Sequence, residues 1–192
     1  CHIAKDILLE EFPERRIEIV DSLMASCGYG LLVDKAHELK KKGLDMDSLR
    51  TEVEKWRNRL HGYFFTSDLR FFIQGGRVSK AAGFIGGLLK ICPVLKITEE
   101  GKLKPIEKAR GKKQAMENIL SKMEKEGYLY SEKCYISHSA CLEDAKKLAD
   151  CIRERFRPEG DIEIFDIGGS IACHTGPGTV SGFFFGKDAV SE

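Results

Sequence analysis

The sequence predicts an α/β protein whose C-terminal part is α+β, in two domains over residues 1–60 and 61–192. Three observations carry this expectation. The first 60 residues read as helix, strand, helix, helix, an order that suits part of a parallel layer, whose strands need helical crossovers. From His61 the texture changes to hairpin, helix, strand, helix, strand, strand, the order of a mixed sheet. A rigid polar stretch, His174-Thr175-Gly176-Pro177-Gly178, then lies between apolar segments and reads as a loop joining two strands.

The elements follow from the pattern. Ile3, Ile7, Leu8 and Phe12 share one side of a helix over residues 3–12 that Pro13 ends. Because the chain opens on Cys1 with that helical pattern already under way and no cap before it, it is expected to start inside an element. Arg16-Ile17-Glu18-Ile19-Val20-Asp21 alternates and is β-branched, so a strand is expected there. A second helix over about 29–42 stops at Gly43, and a third has Asp47 as its expected N-cap and Leu49, Val53, Trp56 and Leu60 as its apolar stripe.

Tyr63-Phe64-Phe65-Thr66 is a short aromatic strand, and Ser67 or Asp68 caps a brief helix through Leu69, Phe72 and Ile73 that Gly75-Gly76-Arg77 breaks. Ser79 through Leu89 has helical length with small residues along it. Residues 93–98 and 102–107 flank Glu99-Glu100-Gly101, a hairpin signal. A charged helix runs between Gly111 and Gly127, then come a strand at 134–138, a helix at 141–156 and a strand at 162–165.

Composition removes several classes of function. Thirty-one basic residues balance 30 acidic ones, and they interleave along helix-like stretches, so neither nucleic acid nor an acidic membrane is an expected partner. No apolar run is long enough to span a bilayer and no secretory signal is present, so the cytoplasm is the expected compartment. Seven cysteines occur without a C-x-x-C, which fits free thiols in a reducing environment and no metal centre.

Motifs for catalysis are equally sparse. Gly176-Pro177-Gly178 with Gly182 departs by one residue from a dinucleotide-binding G-x-G-x-x-G, and there is no G-x-x-x-x-G-K-[ST], G-x-S-x-G or H-E-x-x-H. Cys173 precedes His174 directly and, on a strand, would face the opposite way, so a Cys–His pair is disfavoured. No catalytic residue and no cofactor is expected. His174, beside Thr175 and a Gly-Pro-Gly that supplies donors and restricts motion, is read as functional; His138 is open between a structural and a functional role, and His2, His37 and His61 are placed at the periphery. Arg77 and Arg110 sit beside glycine turns, where an arginine suits a carboxylate or phosphate.

Taken together the segments resemble the DegV family of bacterial fatty-acid-binding proteins. The pieces are Ile19-Val20-Asp21-Ser22 with Ser26-Cys27-Gly28-Tyr29-Gly30, Leu69 through Gly75-Gly76-Arg77-Val78-Ser79, Gly87 through Leu95 with Gly101, Lys108-Ala109-Arg110, Ile167-Gly168 and His174-Thr175-Gly176-Pro177-Gly178, in the family's order. The resemblance implies a DegV-like two-domain architecture, here with the first domain incomplete. It also implies a carrier that encloses one long-chain fatty acid between its domains and presents the carboxylate to a separate kinase. His174 and Arg110 match positions near that carboxylate, Arg77 matches the arginine of the family's Gly-Gly-Arg turn, and Thr66 falls where the family lines the same pocket. The ligand-binding set expected is therefore His174, Thr175, Gly176, Arg110, Arg77 and Thr66. The family's Ser-Gly-x-Ser-Gly-Thr helix start has no counterpart here, so two carboxylate ligands are expected to be missing from this chain. Phe64, Phe72, Phe84, Ile85, Leu88 and Phe183 are candidates to line the acyl tunnel, and the stretch with Gly83, Gly86 and Gly87 is a candidate lid. The alternative is a small-substrate enzyme using His174, with Arg77 and Arg110 as anion clamps.

Overall fold

The structure is a computed structural model that describes residues 1–79 and 91–188. Its seven helices and six strands among these residues are α1 (His2–Glu11), α2 (Cys27–Lys41), α3 (Met46–Arg57), β1 (Leu60–Thr66), α4 (Arg70–Gln74), β2 (Ile91–Ile97), β3 (Leu103–Arg110), α5 (Lys112–Lys125), β4 (Cys134–Ser139), α6 (Leu142–Phe156), β5 (Ile162–Asp166), α7 (Gly169–Thr175) and β6 (Thr179–Phe185). The strands form one sheet in the order β3-β2-β1-β6-β4-β5. Only the β4–β5 pair is parallel, and α6 makes the crossover that a parallel pair requires.

The three consecutive phenylalanines of β6 explain how the sheet acquires two apolar faces. Side chains alternate across a strand, so Phe184 goes to one face and Phe183 and Phe185 to the other. Phe184 joins Tyr63, Phe65, Val94 and Ile136 beneath Ile119 and Met123 of α5 and Leu148 and Ile152 of α6. Phe183 and Phe185 join Tyr135 beneath Leu31 and Leu32 of α2 and Val53 of α3. A third cluster, Phe64, Phe72, Val78 and Leu95, lies where α4 meets β1 and β2. The approach of α2 is close: a Cβ on Gly28 would lie 2.6 Å from the Phe183 ring, so only glycine lets the helix seat there.

Helix α2 carries a lysine into this packing. Lys35 is 6% exposed; its ammonium donates to Glu38 at 2.7 Å, pairs with Glu132 before β4, and sits 4.4 Å from the centre of the Trp56 ring of α3. A buried ammonium is tolerable because two carboxylates and an aromatic face replace its water. Asp34, one residue earlier, accepts from Lys133 at 2.6 Å and from the Tyr135 hydroxyl at 3.0 Å. Adjacent residues of α2 thus tie it to the segment leading into β4.

Several expectations need correction. The segment 16–21 forms no strand among the described residues: an extended run becomes a strand only with a ladder partner, and none of the six described strands pairs with it. Arg16 instead bonds Glu18 at 3.1 Å and pairs with Asp47. Asp47 is therefore not the N-cap of α3; Asp45 is, accepting from the Ser48 amide at 2.8 Å. Leu60 has left the helix and begins β1. Helix α1 forms as expected, yet it buries none of its residues, and Ile3 is 79% exposed. The helix expected over 79–89, with Phe84, Ile85, Leu88 and its glycines, lies outside the described residues apart from Ser79.

Two stability predictions follow from α2. Lys35→Met keeps the volume but strands the carboxylates, and should lower the unfolding free energy in urea by about 2 kcal/mol, less than the 3–5 of a fully buried pair because Glu132 keeps some access to water. The Lys133 hydrogen bond holds the Asp34 carboxyl below its ordinary value of 3.8, so this pair stabilises the fold above that pH and the contribution is lost as pH falls through the lower folded value. Asp34→Asn should accordingly destabilise at pH 7 and progressively less as pH drops below 3.8, read by urea melts across that range.

Candidate functional site

The C-terminal ends of β1 and β4 and the N-terminal end of β6 coincide, and there the sheet surface turns from apolar to hydroxylic. Thr66 pairs with Thr179, which pairs with Ser139; one step down the sheet, Ser181 pairs with Ser137. Directly opposed residues share a face, so these five hydroxyls form a patch beside Phe64 and Phe183. All five are buried. Ser26, ahead of α2, reaches the patch with its Oγ 3.2 Å from that of Ser137, and does so at a φ of 54°, a backbone conformation rare for a residue with a side chain.

Helix α7 closes over this end. The segment expected as a loop is helical from Gly169, and Gly176-Pro177-Gly178 is the turn that ends it and starts β6. Cys173 and His174 are therefore helical neighbours about 100° apart rather than on opposite faces of a strand. The Thr179 hydroxyl donates to the Thr175 carbonyl at 3.0 Å, the Gly178 amide to Ser139 at 2.8 Å, and the Ser67 amide to the Gly178 carbonyl at 3.3 Å. The turn is thus stitched to β1, β4 and β6 at once.

The expected site residues separate into those brought together and those not. Thr175 is buried, and its Oγ1 is the one buried side-chain oxygen or nitrogen without a hydrogen-bond partner among the described residues. An orphaned buried hydroxyl costs about 1–3 kcal/mol, so a partner from outside the chain would relieve a standing penalty. Next to it His174 is half-buried and makes no hydrogen bond or ion pair within the described residues, while Gly176 sits at a φ of 67° with the Phe71 ring packed over it. Thr66 belongs to the same end, but its hydroxyl is occupied by the amide and carbonyl of Asp68, both at 3.2 Å. Arg110 ends β3 at this end of the sheet, two strands from β1 and so about 10 Å away across the ladder. Its amide donates to Gln114 at 2.6 Å, and its guanidinium has no ion pair among the described residues. Arg77 donates from Nη1 to the carbonyl of Gly75 at 2.5 Å, and Gly75 is the residue that lies against the His174 ring.

Ser139, Thr179, Ser137 and Ser181 escaped the sequence reading, although Ser137-x-Ser139 and Thr179-x-Ser181 repeat at the strand period and mark one face. The nearby thiols are not nucleophiles. Burial pushes Cys92 up to about 11 and raises Cys27 and Cys141, so all three stay protonated at neutral pH. Cys92 and Cys141 donate instead to the carbonyls of Thr66 and Thr179 at 3.2 and 3.3 Å. His138 lies on the opposite face, its Nε2 3.5 Å from Asp166 and its Nδ1 accepting from the Cys141 amide at 3.4 Å. No group of acidic, histidine and cysteine side chains suited to a metal occurs among the described residues. The arrangement is a cradle of hydroxyls and one imidazole, donors of the kind that can bind an oxyanion.

Two cavities lie elsewhere. One of about 670 Å³ opens at the far end of the sheet beside Arg57, Tyr63, Lys96 and Glu126. Two of its polar groups are engaged, Tyr63 donating to Glu126 at 2.7 Å and His61 bonded to the Lys187 carbonyl at 2.9 Å. His61 is buried there and stacked on Phe184, not peripheral. A second of about 510 Å³ lies between segment 16–22 and helices α2 and α3.

Known proteins match this chain along most of its length. The model of the family described as "Uncharacterised protein, DegV family" matches residues 2–187. A DegV domain-containing protein of Clostridium perfringens is 41% identical over 185 residues, covering 96% of this chain and 63% of the relative. The chain thus spans less than two thirds of the length of such relatives. Among solved structures, the Streptococcus pneumoniae fatty acid kinase B3 protein loaded with linoleic acid superposes with a TM-score of 0.87 at 28% identity, over 96% of this chain and 65% of that one. A DegV family protein from Thermus thermophilus described for its fatty acid binding gives 0.82 at 30% identity, over 94% and 64%. No described helix is long and apolar enough to cross a membrane. With a six-stranded sheet and flanking helices matching these structures, and a family match from end to end, the chain belongs to the DegV family.

Proposed function

We propose that the chain binds a long-chain fatty acid, with the carboxylate at Thr175 and His174, and presents it to a partner kinase that phosphorylates it. Residues 1–60 and 61–192 are then parts of two domains that enclose the ligand, in a cytoplasmic carrier that performs no chemistry itself. The observation that carries this reading is the buried, unpartnered Thr175 Oγ1 beside an uncommitted His174. A carboxylate buried bare costs several kcal/mol, and a waiting hydroxyl, an imidazole and the amides of the Gly176–Gly178 turn are the donors that offset it. The tail adds about 0.8 kcal/mol per buried CH₂, and the apolar cluster of Phe64, Phe72, Val78 and Leu95, with the Phe64 and Phe72 rings stacked 5.5 Å apart, adjoins this end of the sheet. Phe183 is taken up by the packing of α2 and is withdrawn from the tunnel.

Arg110, at the rim, is the cation that would meet the developing acyl phosphate. The competing enzyme reading needs Arg77 and Arg110 to clamp one anion, and Arg77 already gives one of its five N–H donors to the Gly75 carbonyl.

Thr175→Val tests the assignment because it moves stability and affinity in opposite directions. Removing an unsatisfied hydroxyl should raise the melting temperature of the ligand-free protein, while oleate affinity falls roughly tenfold or more through loss of a charge-assisted hydrogen bond. A fall in both, with oleate still bound, would assign the hydroxyl to structure and sink the reading. Mass spectrometry after denaturing extraction into organic solvent should likewise find one fatty acid per chain, and His174→Ala should abolish kinase-dependent acyl phosphate formation.

A further inference from the structure

Helices α4 and α7 are 5 and 7 residues long, too short to hold their shape alone, and they hold each other. Two ring-on-glycine contacts lock them. Gly75, which follows α4, has φ −73° and ψ −3°, a conformation any residue adopts, so the backbone gives no reason for glycine there. The reason is His174: a Cβ on Gly75 would lie 2.5 Å from its Nδ1, with the Phe71 carbonyl oxygen next at 3.1 Å. In the reverse direction the Phe71 ring of α4 occupies the space above Gly176. Arg77 closes the arrangement from the far side, donating to the Gly75 carbonyl at 2.5 Å, while the amides of Arg77 and Val78 both bond the Phe72 carbonyl at 2.8 and 3.2 Å.

We propose that the Gly75-Gly76-Arg77 turn is a positioning site for His174: Gly75 is the floor on which the imidazole rests, and Arg77 acts through Gly75 rather than on the ligand. This rests on the reading of His174 as a carboxylate-facing residue, but the contact itself is tested without any ligand.

A double-mutant cycle separates the two. Gly75→Ala should lower the melting temperature by roughly 3–10 °C, as overpacking does in a chain of this size, and the loss should vanish in the His174→Ala background, where the obstructing ring is gone. Gly30→Ala, whose Cβ would meet nothing within 4 Å, serves as the control and should not couple to His174. In ligand-free protein, ring ¹H–¹⁵N signals of His174 should shift in Gly75→Ala and in Arg77→Ala. An arginine acting only on the ligand would leave them unmoved. An equal penalty for Gly75→Ala in both backgrounds, or unchanged ring signals in both single variants, would overturn the proposal. With the coupling present, oleate affinity should fall about 10–100-fold in Gly75→Ala, the scale of a misplaced site residue. Coupling in a chain whose wild type binds no oleate would uphold the positioning contact and remove the carrier reading instead.

Discussion

The pairing of β1 with β6 is the constraint on which the rest depends. Seven consecutive residue pairs run from Leu60 and Phe185 to Thr66 and Thr179, and every residue of both strands is buried. A one-residue slip would send Phe183 and Phe185 to the face that Phe184 now fills, emptying both large clusters at once. The same register brings Thr66 opposite Thr179 and thereby fixes where the β6 turn and α7 must lie. Packing and site geometry are therefore consequences of one alignment.

The site is built on this rigid base by elements with little stability of their own. Helix α7 is fastened below by hydrogen bonds of the Gly176–Gly178 turn to Ser139 and Ser67, and laterally by α4. Most of its N-terminal residues face solvent, whereas Thr175 at its C-terminal end is buried on the hydroxyl patch. Such a gradient suits the role proposed for α7, in which it admits a ligand while keeping one polar contact in register. It also explains why an unsatisfied hydroxyl persists: the stability it costs is affordable where the sheet beneath is already determined.

Electrostatics contribute in two distinct ways. On α2, Lys35 and Asp34 face oppositely charged partners at the boundary between helix and sheet and tie two layers together. At the candidate site the fully buried groups are neutral hydroxyls and protonated thiols, and the charged side chains, Arg110 and the Asp68–Arg70 pair, are not fully buried. A neutral interior with donors is what an incoming anion requires, since a buried acid would repel it and a buried base would already be paired.

What the sequence by itself determined was local. Periodicity and punctuation were enough for α2, α5, α6, the β2–β3 hairpin and β4, because each presents an apolar face of clear period bounded by glycine or a charged turn. Gly176-Pro177-Gly178 marked a fixed turn, which the structure has between α7 and β6. Only the tertiary structure decided the rest. Ile17, Ile19 and Val20 have strand propensity, but a strand exists only through its neighbour, and no described strand pairs with them. Asp45 and Asp47 are both candidate caps by residue type, and Asp45 is the one that stands before the first helical residue and accepts from the Ser48 amide. The five-hydroxyl patch is assembled from three strands, and the role of Gly75 appears only when a ring from α7 lies against it. These are contacts between residues far apart in sequence, and no local pattern encodes the register that brings them together.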